Sequence, residues 1–318
     1  MLSSTAEKLY WACRYIERAE MTSRLLDVAY RISLTTNKDN KNNEWESILL
    51  STAVKDEYLF KNSKINQKKV EKFLFFDDSN KSSIKNCVKS TRENFRMVRN
   101  RITREVWDVI NSTYQELQDI SSGRYKSSEI PNLCSWIKQK SSMLKGAIIS
   151  TQLSSDCYDF MNLGYYVERA DNIIRFIDVK NFISPINDKE NNDNDYQWGI
   201  LLRTLAAYTQ YRLSYGVNMS QDKIAHFLIF NNTNPRSLFY SLENIKIHLK
   251  NLSSFYNLQS GAFSSSRKII SKLSDLTVKE IFENGFNDFL SQYSEDINSL
   301  HVSIRNSYFG GVYNVLED

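Results

Sequence analysis

Tyr15-Ile-Glu-Arg-Ala-Glu20, running on to Arg24-Leu-Leu-Asp-Val28, returns almost letter for letter as Tyr166-Val-Glu-Arg-Ala-Asp171 and Arg175-Phe-Ile-Asp-Val179, at an offset of 151 residues. Two further blocks keep the same order at nearly the same spacing. Trp45 with Leu49-Leu50 is matched by Trp198 with Leu201-Leu202, and Phe73-Leu-Phe-Phe-Asp-Asp-Ser-Asn80 by Phe227-Leu-Ile-Phe-Asn-Asn-Thr-Asn234. Three blocks in one order point to an internal duplication. The pattern predicts a first repeat over about 1–130, a second over about 131–258 and a C-terminal helical segment over about 259–318. Helical periodicity dominates throughout. The expected fold is therefore all-α: one helical-bundle domain spanning 1–318, its two repeats related by a pseudo-twofold axis and sharing one core.

Composition supports this reading. The 318 residues include only 3 Pro and 9 Gly, against roughly 16 and 22 at average usage. Strand-rich folds need frequent Gly or Pro turns, and nucleotide-binding loops need glycine clusters. Both are disfavoured. The net charge of +4 is too small to imply nucleic acid. Four Cys without a Cys-x-x-Cys pair read as reduced thiols of a cytoplasmic protein, and three dispersed His make a metal site improbable. No apolar run approaches a membrane span, and the charged N-terminus lacks a signal-peptide core.

Helices are expected over 5–34, 44–60, 81–120, 131–155, 157–183, 196–216, 221–230, 235–256 and 278–309. Polar runs rich in Asn, Asp and Ser separate them, the most linker-like being 184–195. Gly310-Gly311 reads as a helix stop.

At about 100° per residue, Glu17, Glu20, Arg24, Asp27 and Arg31 share one face of the first helix, and Glu168, Asp171, Arg175 and Asp178 the equivalent face of the second. A solvated ladder of ion pairs accounts for the outer members, but retention of the same acids and bases in both halves asks for a further constraint. Arg18 projects into the apolar arc of its helix, between Trp11, Leu25 and Ala29, and Arg169 holds the equivalent place. A guanidinium there must be paired or bind an anion. Three arrangements satisfy it: a reciprocal clamp of Glu17 with Arg169 and Glu168 with Arg18, a bound carboxylate or other anion, or acid/base use of Glu17 or Glu168.

In the expected helix 81–120, Lys81, Lys85, Lys89, Arg92, Arg96 and Arg99 form a stripe of cations. It suits a solvated face or an acidic partner better than nucleic acid, because its aromatic residues are too sparse for base stacking. Trp11, Trp107, Trp136 and Tyr208 read as core. No phosphate-binding loop, metalloprotease, serine-hydrolase or kinase signature is present, and no cofactor is implied.

The string Met1-Leu2-Ser3, Leu9-Tyr10-Trp11 and Arg14-Tyr15-Ile16-Glu17-Arg18-Ala19-Glu20 resembles the Alpha-E family, named for its helices and Glu-Arg motif. The likeness continues through Phe73–Asp77, Arg92-Glu93-Asn94, Arg99, Glu105 and Trp107, and returns at Tyr166–Asp171, Tyr196–Gly199 and Asn234–Ser237. The resemblance implies a bacterial all-helical protein encoded beside, or fused to, a circularly permuted ATP-grasp amidoligase and a transglutaminase-like protein. It marks Arg14, Glu17, Arg18, Glu168 and Arg169 as candidate binding residues, with Arg24, Arg175, Arg92, Glu93, Arg99 and Glu105 as secondary candidates. The chain departs from the family pattern at Tyr165, where a basic residue is usual, and at Leu153–Tyr158.

Two functions are consistent with these features. The first is a non-catalytic partner or scaffold of an ATP-grasp-type ligase, binding an acidic partner or a carboxylate-bearing substrate. The alternative is an enzyme of peptide-like amide bond formation or processing that uses the Glu-Arg pairs. They differ in whether Glu17, Arg18, Glu168 and Arg169 form a closed quartet or line a pocket.

Overall fold

The longest helix, α1 (Ser3–Ser33), is also among the most deeply buried. It is rich in charge, yet Glu17, Glu20 and Asp27 are all buried together with Leu9, Ile16 and Leu26. The second long helix, α8 (Asp156–Ile183), is buried over nearly its whole described length. These two form the middle of the molecule. The computed structural model describes residues 1–34, 41–123, 125–183 and 193–310, with backbone alone at 32, 41–44, 179–183 and 193–197.

In chain order the remaining helices are α2 (Lys41–Ser51), α3 (Lys55–Lys61), α4 (Gln67–Phe75), α5 (Ile84–Met97), α6 (Arg104–Ser122) and α7 (Ile130–Thr151) before α8. They continue with α9 (Asp193–Thr204), α10 (Tyr208–Tyr215), α11 (Gln221–Ala225), α12 (Leu238–Tyr256), α13 (Gly261–Ser274), α14 (Val278–Asn284) and α15 (Phe286–Tyr308). There is no strand among the described residues, so the fold is all-α as expected. Helix α1 packs on α8, α5 and α7, while α8 packs also on α12 and α15, and α2 and α9 touch both. None of the described helices is long and apolar enough to cross a membrane.

Helices α1 and α8 touch backbone to backbone at Gly164, where a Cβ would lie 2.1 Å from the Tyr10 carbonyl oxygen and 3.1 Å from the Cys13 Cβ. Cys13 and Gly164 occupy the same place in the two matched strings. The crossing therefore falls where equivalent positions meet.

Local geometry coincides elsewhere too. Ala53 and Ala206 both adopt left-handed backbone, with φ of 54° and 55°. In each case the following amide bonds back to the helix it leaves, Val54 N to Leu49 O at 3.0 Å and Ala207 N to Leu202 O at 2.7 Å. This helix-ending motif usually takes glycine. Asn80 donates to the Phe73 carbonyl and Asn234 to the Phe227 carbonyl, both at 3.1 Å. Ser83 and Ser237 then cap α5 and α12 through their hydroxyls.

Several expected helices prove to be two. The span 44–60 breaks at Thr52–Val54, and 196–216 breaks at Leu205–Ala207, both at the left-handed alanines. The span 278–309 breaks at Gly285, with φ of 110°. The span 81–120 ends α5 at Met97 and restarts at Arg104, where the Thr103 hydroxyl accepts from Val106 N and fixes a new N-terminus. After α11, His226–Phe230 is wound as a π-helix. Helix α4 lies in a stretch not expected to be helical, and α13 falls in the C-terminal helical segment expected from about 259 but outside the spans delimited above; each starts at a polar cap, Asn66 and Ser260. Of the expected linker 184–195, residues 184–192 lie outside the described residues, as does Gly311 of the expected helix stop.

Candidate functional site

One turn on either side of the α1–α8 crossing, the two Glu-Arg motifs meet. Glu17 and Glu168 each follow the crossing position by four residues, so they stack on the face turned toward the opposite helix. Arg169 donates to Glu17 through Nε to Oε1 at 2.7 Å and Nη2 to Oε2 at 2.9 Å. Arg18 donates to Glu168 through Nε to Oε1 at 2.6 Å and Nη2 to Oε2 at 3.1 Å. Both are two-point guanidinium–carboxylate forks, the strongest geometry for such a pair. The reciprocal clamp is thus the arrangement present.

Each carboxylate takes a second guanidinium, from a different element in each case. Glu168 accepts from Arg14 Nε at 2.7 Å, one turn before Arg18 on α1. Glu17 accepts from Arg236 Nη1 at 3.1 Å, reached from the turn before α12. Tyr165 aligns with Arg14 in the two matched strings, and its buried hydroxyl has no hydrogen-bond partner. The Lys145 ammonium lies over the Tyr165 and Tyr166 rings at 5.2 and 5.6 Å. Burial, reinforced by Arg169, lowers that ammonium from 10.5 to about 8.

Arg236 also bonds Glu20 through Nη2 at 2.6 Å, and Glu20 is completed by Arg24 at 2.8 Å and the Ser141 hydroxyl at 2.8 Å. Five guanidiniums converge on three carboxylates. Burial alone would push the Glu168 carboxyl up, but Arg18 and Arg14 outweigh it and hold it at about 2. Glu20 is likewise lowered against its burial, by Arg236 and Arg24.

The two forks differ in access. The Glu17–Arg169 pair is closed, with side chains 0% and 5% exposed. At the other end Arg18 is 25% exposed beside a buried Glu168. Arg18, Glu168, Asp171, Asn172 and Arg175 line a cleft of about 180 Å³, with the left-handed Ala53 on its opposite wall. The quartet is closed at one end and lines a pocket at the other.

The secondary candidates divide. Arg24 belongs to the central cluster, and Arg175 binds Asp171 at 3.0 Å at the cleft. Arg92 bonds Asn111 at 2.9 Å, lies over the Tyr114 ring at 4.7 Å and pairs with Glu93, which holds Arg96 at 2.6 Å. Arg99 lies over Trp107 at 5.4 Å, and Glu105 is exposed in the first turn of α6. Among the described residues no hydrogen bond or ion pair joins this group to the central motif.

Two expectations are corrected here. The six-cation stripe is not one surface: α5 ends between Arg96 and Arg99, Lys85 pairs with Asp78 at 2.8 Å, and Glu93 neutralises Arg92 and Arg96. The face carrying Glu20 and Asp27 is not a solvated ladder, because both acids are buried, Asp27 against Lys138 at 2.8 Å.

Sequence reasoning left Arg236 and Asn172 out of the site. Arg236 lies in the quoted Asn234–Ser237 stretch, directly after the Asn234 that matches Asn80, and its place in a rigid turn was the available signal. Asn172 carried none.

Such a fold and such a centre define a class: all-helical proteins whose two central helices are locked by interleaved arginine–glutamate pairs. The chain belongs to the Alpha-E family, described as "a predicted alpha-helical domain with a conserved ER motif", whose model matches residues 1–309. The dipeptide Glu-Arg occurs in this sequence at Glu17-Arg18 and Glu168-Arg169. No curated protein matches the chain, and no solved structure matches it.

Proposed function

We propose that the protein is a non-catalytic binding module, a cytoplasmic partner of an ATP-grasp-type peptide or amide ligase, which presents the Arg18–Arg175 cleft to a carboxylate. The observation that carries this reading is the access asymmetry: one Glu-Arg fork is sealed, while Arg18 of the other reaches a cleft also lined by Arg175. Arg18 and Arg175 line it, and the planar fork of a guanidinium suits a carboxylate. Acid/base catalysis is disfavoured because Glu168, held at about 2, takes up no proton near neutral pH. Four buried free cysteines fit the cytoplasm.

The ligase partner rests on the resemblance to the Alpha-E family, which also brings in the transglutaminase-like protein. The repeats over 1–130 and 131–258 belong to the same reading, supported by the coincident turns at Ala53 and Ala206 and at Asn80 and Asn234. Size-exclusion chromatography of the full chain with the circularly permuted ATP-grasp protein tests it. A co-eluting complex weakened by Arg175→Glu is expected. Separate elution of the two wild-type proteins at tens of micromolar would overturn the partnership.

A further inference from the structure

Between Met97 and Arg104 the chain turns the corner from α5 to α6, and the turn is fixed from inside. Val98 and Ile102 are buried, 4% and 8% exposed. Between them Arg99–Arg101 form one 3-10 turn, in which the Arg101 amide donates to the Val98 carbonyl at 2.8 Å. The Gln152 side-chain amide donates to the Arg101 carbonyl at 3.1 Å and ties the turn to the end of α7. With both anchors inside, Arg99 is half-buried and Arg101 exposed.

Charge is one-sided here. From Asn94 to Arg104 the chain carries Arg96, Arg99, Arg101 and Arg104 and no acid. Arg96 is paired with Glu93 at 2.6 Å and Arg104 with Asp108 at 3.3 Å. Among the described residues no acid pairs with Arg99 or Arg101. The Arg99 guanidinium makes a single hydrogen bond, from Nη1 to the Ile102 carbonyl at 3.5 Å, so most of its five donors are unused. Glu105, the nearest exposed acid along the chain, sits in the first turn of α6, where the helix N-terminus favours it.

Arg99 is also held in place. Its guanidinium lies over the Trp107 ring at 5.4 Å, and that of Arg92 lies over the same ring at 5.5 Å and over Tyr114 at 4.7 Å. Arg92 is tied to Asn111 at 2.9 Å and to Glu93 at 3.3 Å, so it braces the rings and does not reach outward. A stacked guanidinium with unused donors can meet a carboxylate through two parallel bonds at little ordering cost. Met97, 62% exposed, adds apolar surface two residues before Arg99. Arginine, methionine and aromatic rings together are what protein interfaces enrich. A nucleic-acid strand is served less well, because the rings on which its bases would stack already carry guanidiniums.

The geometry points to the α5–α6 corner as a docking surface for an acidic segment of a partner protein. Arg99 and Arg101 take its carboxylates, Met97 meets an apolar side chain of the segment, and Trp107 and Arg92 act as positioning residues for Arg99. None of these residues lines the Arg18–Arg175 cleft, so either reading can fail without the other.

Fluorescence anisotropy of a labelled glutamate peptide with a central leucine, titrated with the full chain, tests the inference, beside a single-stranded oligothymidylate of equal net charge. The peptide is expected to saturate, to weaken as sodium chloride is added, and to bind at least tenfold more tightly than the oligonucleotide. Arg99→Ala should lower the affinity at least tenfold with an unchanged near-ultraviolet circular dichroism spectrum, and Arg99→Lys, which keeps the charge without the fork, should recover only part of it. Trp107→Leu should weaken binding in the wild-type background but not further in the Arg99→Ala background, which a general loss of folding would not produce. Arg267→Ala, removing an exposed arginine of α13, should leave the affinity unchanged. Oligothymidylate binding as tightly as the peptide would overturn the protein partner in favour of nucleic acid. No saturation by the peptide, or equal losses from Arg99→Ala and Arg267→Ala, would overturn the docking site.

Discussion

Gly164 presses its backbone against Tyr10 so closely that a Cβ would come within 2.1 Å of the Tyr10 carbonyl oxygen. The obstacle is backbone of the central helix α1, which no side-chain rotation can move aside. Gly164→Ala is expected to force α1 and α8 apart and destabilise the protein by about 1–3 kcal/mol or more. Gly146→Ala is the control. Gly146 is exposed within α7 and a Cβ there meets nothing within 4 Å, so the change should stabilise by about 0.5–1 kcal/mol. Urea melts of the two variants should move in opposite directions; a shift in the same direction refutes the close approach.

The sealed fork makes a second forecast. Glu17→Ala leaves Arg169 and Arg236 facing each other without their carboxylate, and is expected to cost about 3–5 kcal/mol. Glu17→Ala with Arg169→Ala should cost less than the sum of the singles, by about 0.5–3 kcal/mol. Additive losses below about 1 kcal/mol, the size of exposed pairs, would show that the fork is not structural.

Acid should act in two stages. Burial, helped by Arg14, lowers His301 from 6.5 to about 4. An unfolded chain therefore protonates this residue across a window in which the folded one does not, and stability falls as pH drops from about 6.5 to about 4. Glu168, lowered from 4.5 to about 2, and Glu20, also lowered, act in the same direction. The unfolded carboxyls take up protons from about 4.5 downward while the folded ones resist. Urea midpoints measured from pH 8 to pH 3 should decline through both windows, and His301→Gln should flatten the upper one only. A midpoint independent of pH between 6.5 and 4 in the wild type would contradict the neutral buried imidazole.

Ala53 and Ala206 hold a backbone conformation that disfavours any side chain. Ala53→Gly and Ala206→Gly are each expected to stabilise by about 1 kcal/mol, additively, since they end different helices. Differential scanning calorimetry of the singles and the double checks this; a lower melting temperature for either would count against the left-handed cap.

The all-helical fold was readable from helical periodicity and the scarcity of Gly and Pro, and the repeated Glu17-Arg18 and Glu168-Arg169 put the reciprocal pairing among three arrangements left open. A guanidinium projected among Trp11, Leu25 and Ala29 has few ways to be satisfied. The burial of Glu20 and Asp27 was not readable. Periodicity assigns charged positions to solvent, whereas here Arg236, Ser141 and Lys138 arrive from distant elements to cover them. The helix breaks at Ala53 and Ala206 were hidden for a related reason. Turn signals are carried by Gly, Asn and Pro, and this chain uses alanine. Asn172 is one more polar residue on a helix until its neighbours are known, so the open end of the site became visible only in three dimensions.

The pairing of Arg14 and Arg18 with Glu168, residues some 150 positions apart, has a consequence for how the chain comes off the ribosome. At a synthesis rate of about 5–20 residues per second, α1 waits roughly 8–30 s before α8 follows it. Throughout that interval the face of α1 that meets α8 lacks its counterpart, although α5 and α7, which also pack on α1, emerge sooner. A helix bearing only leucines and valines there would invite aggregation. One whose inner face carries Arg14, Glu17, Arg18 and Glu20 stays hydrated until its counterpart emerges. The same charges that make the finished centre rigid keep the nascent segment tractable.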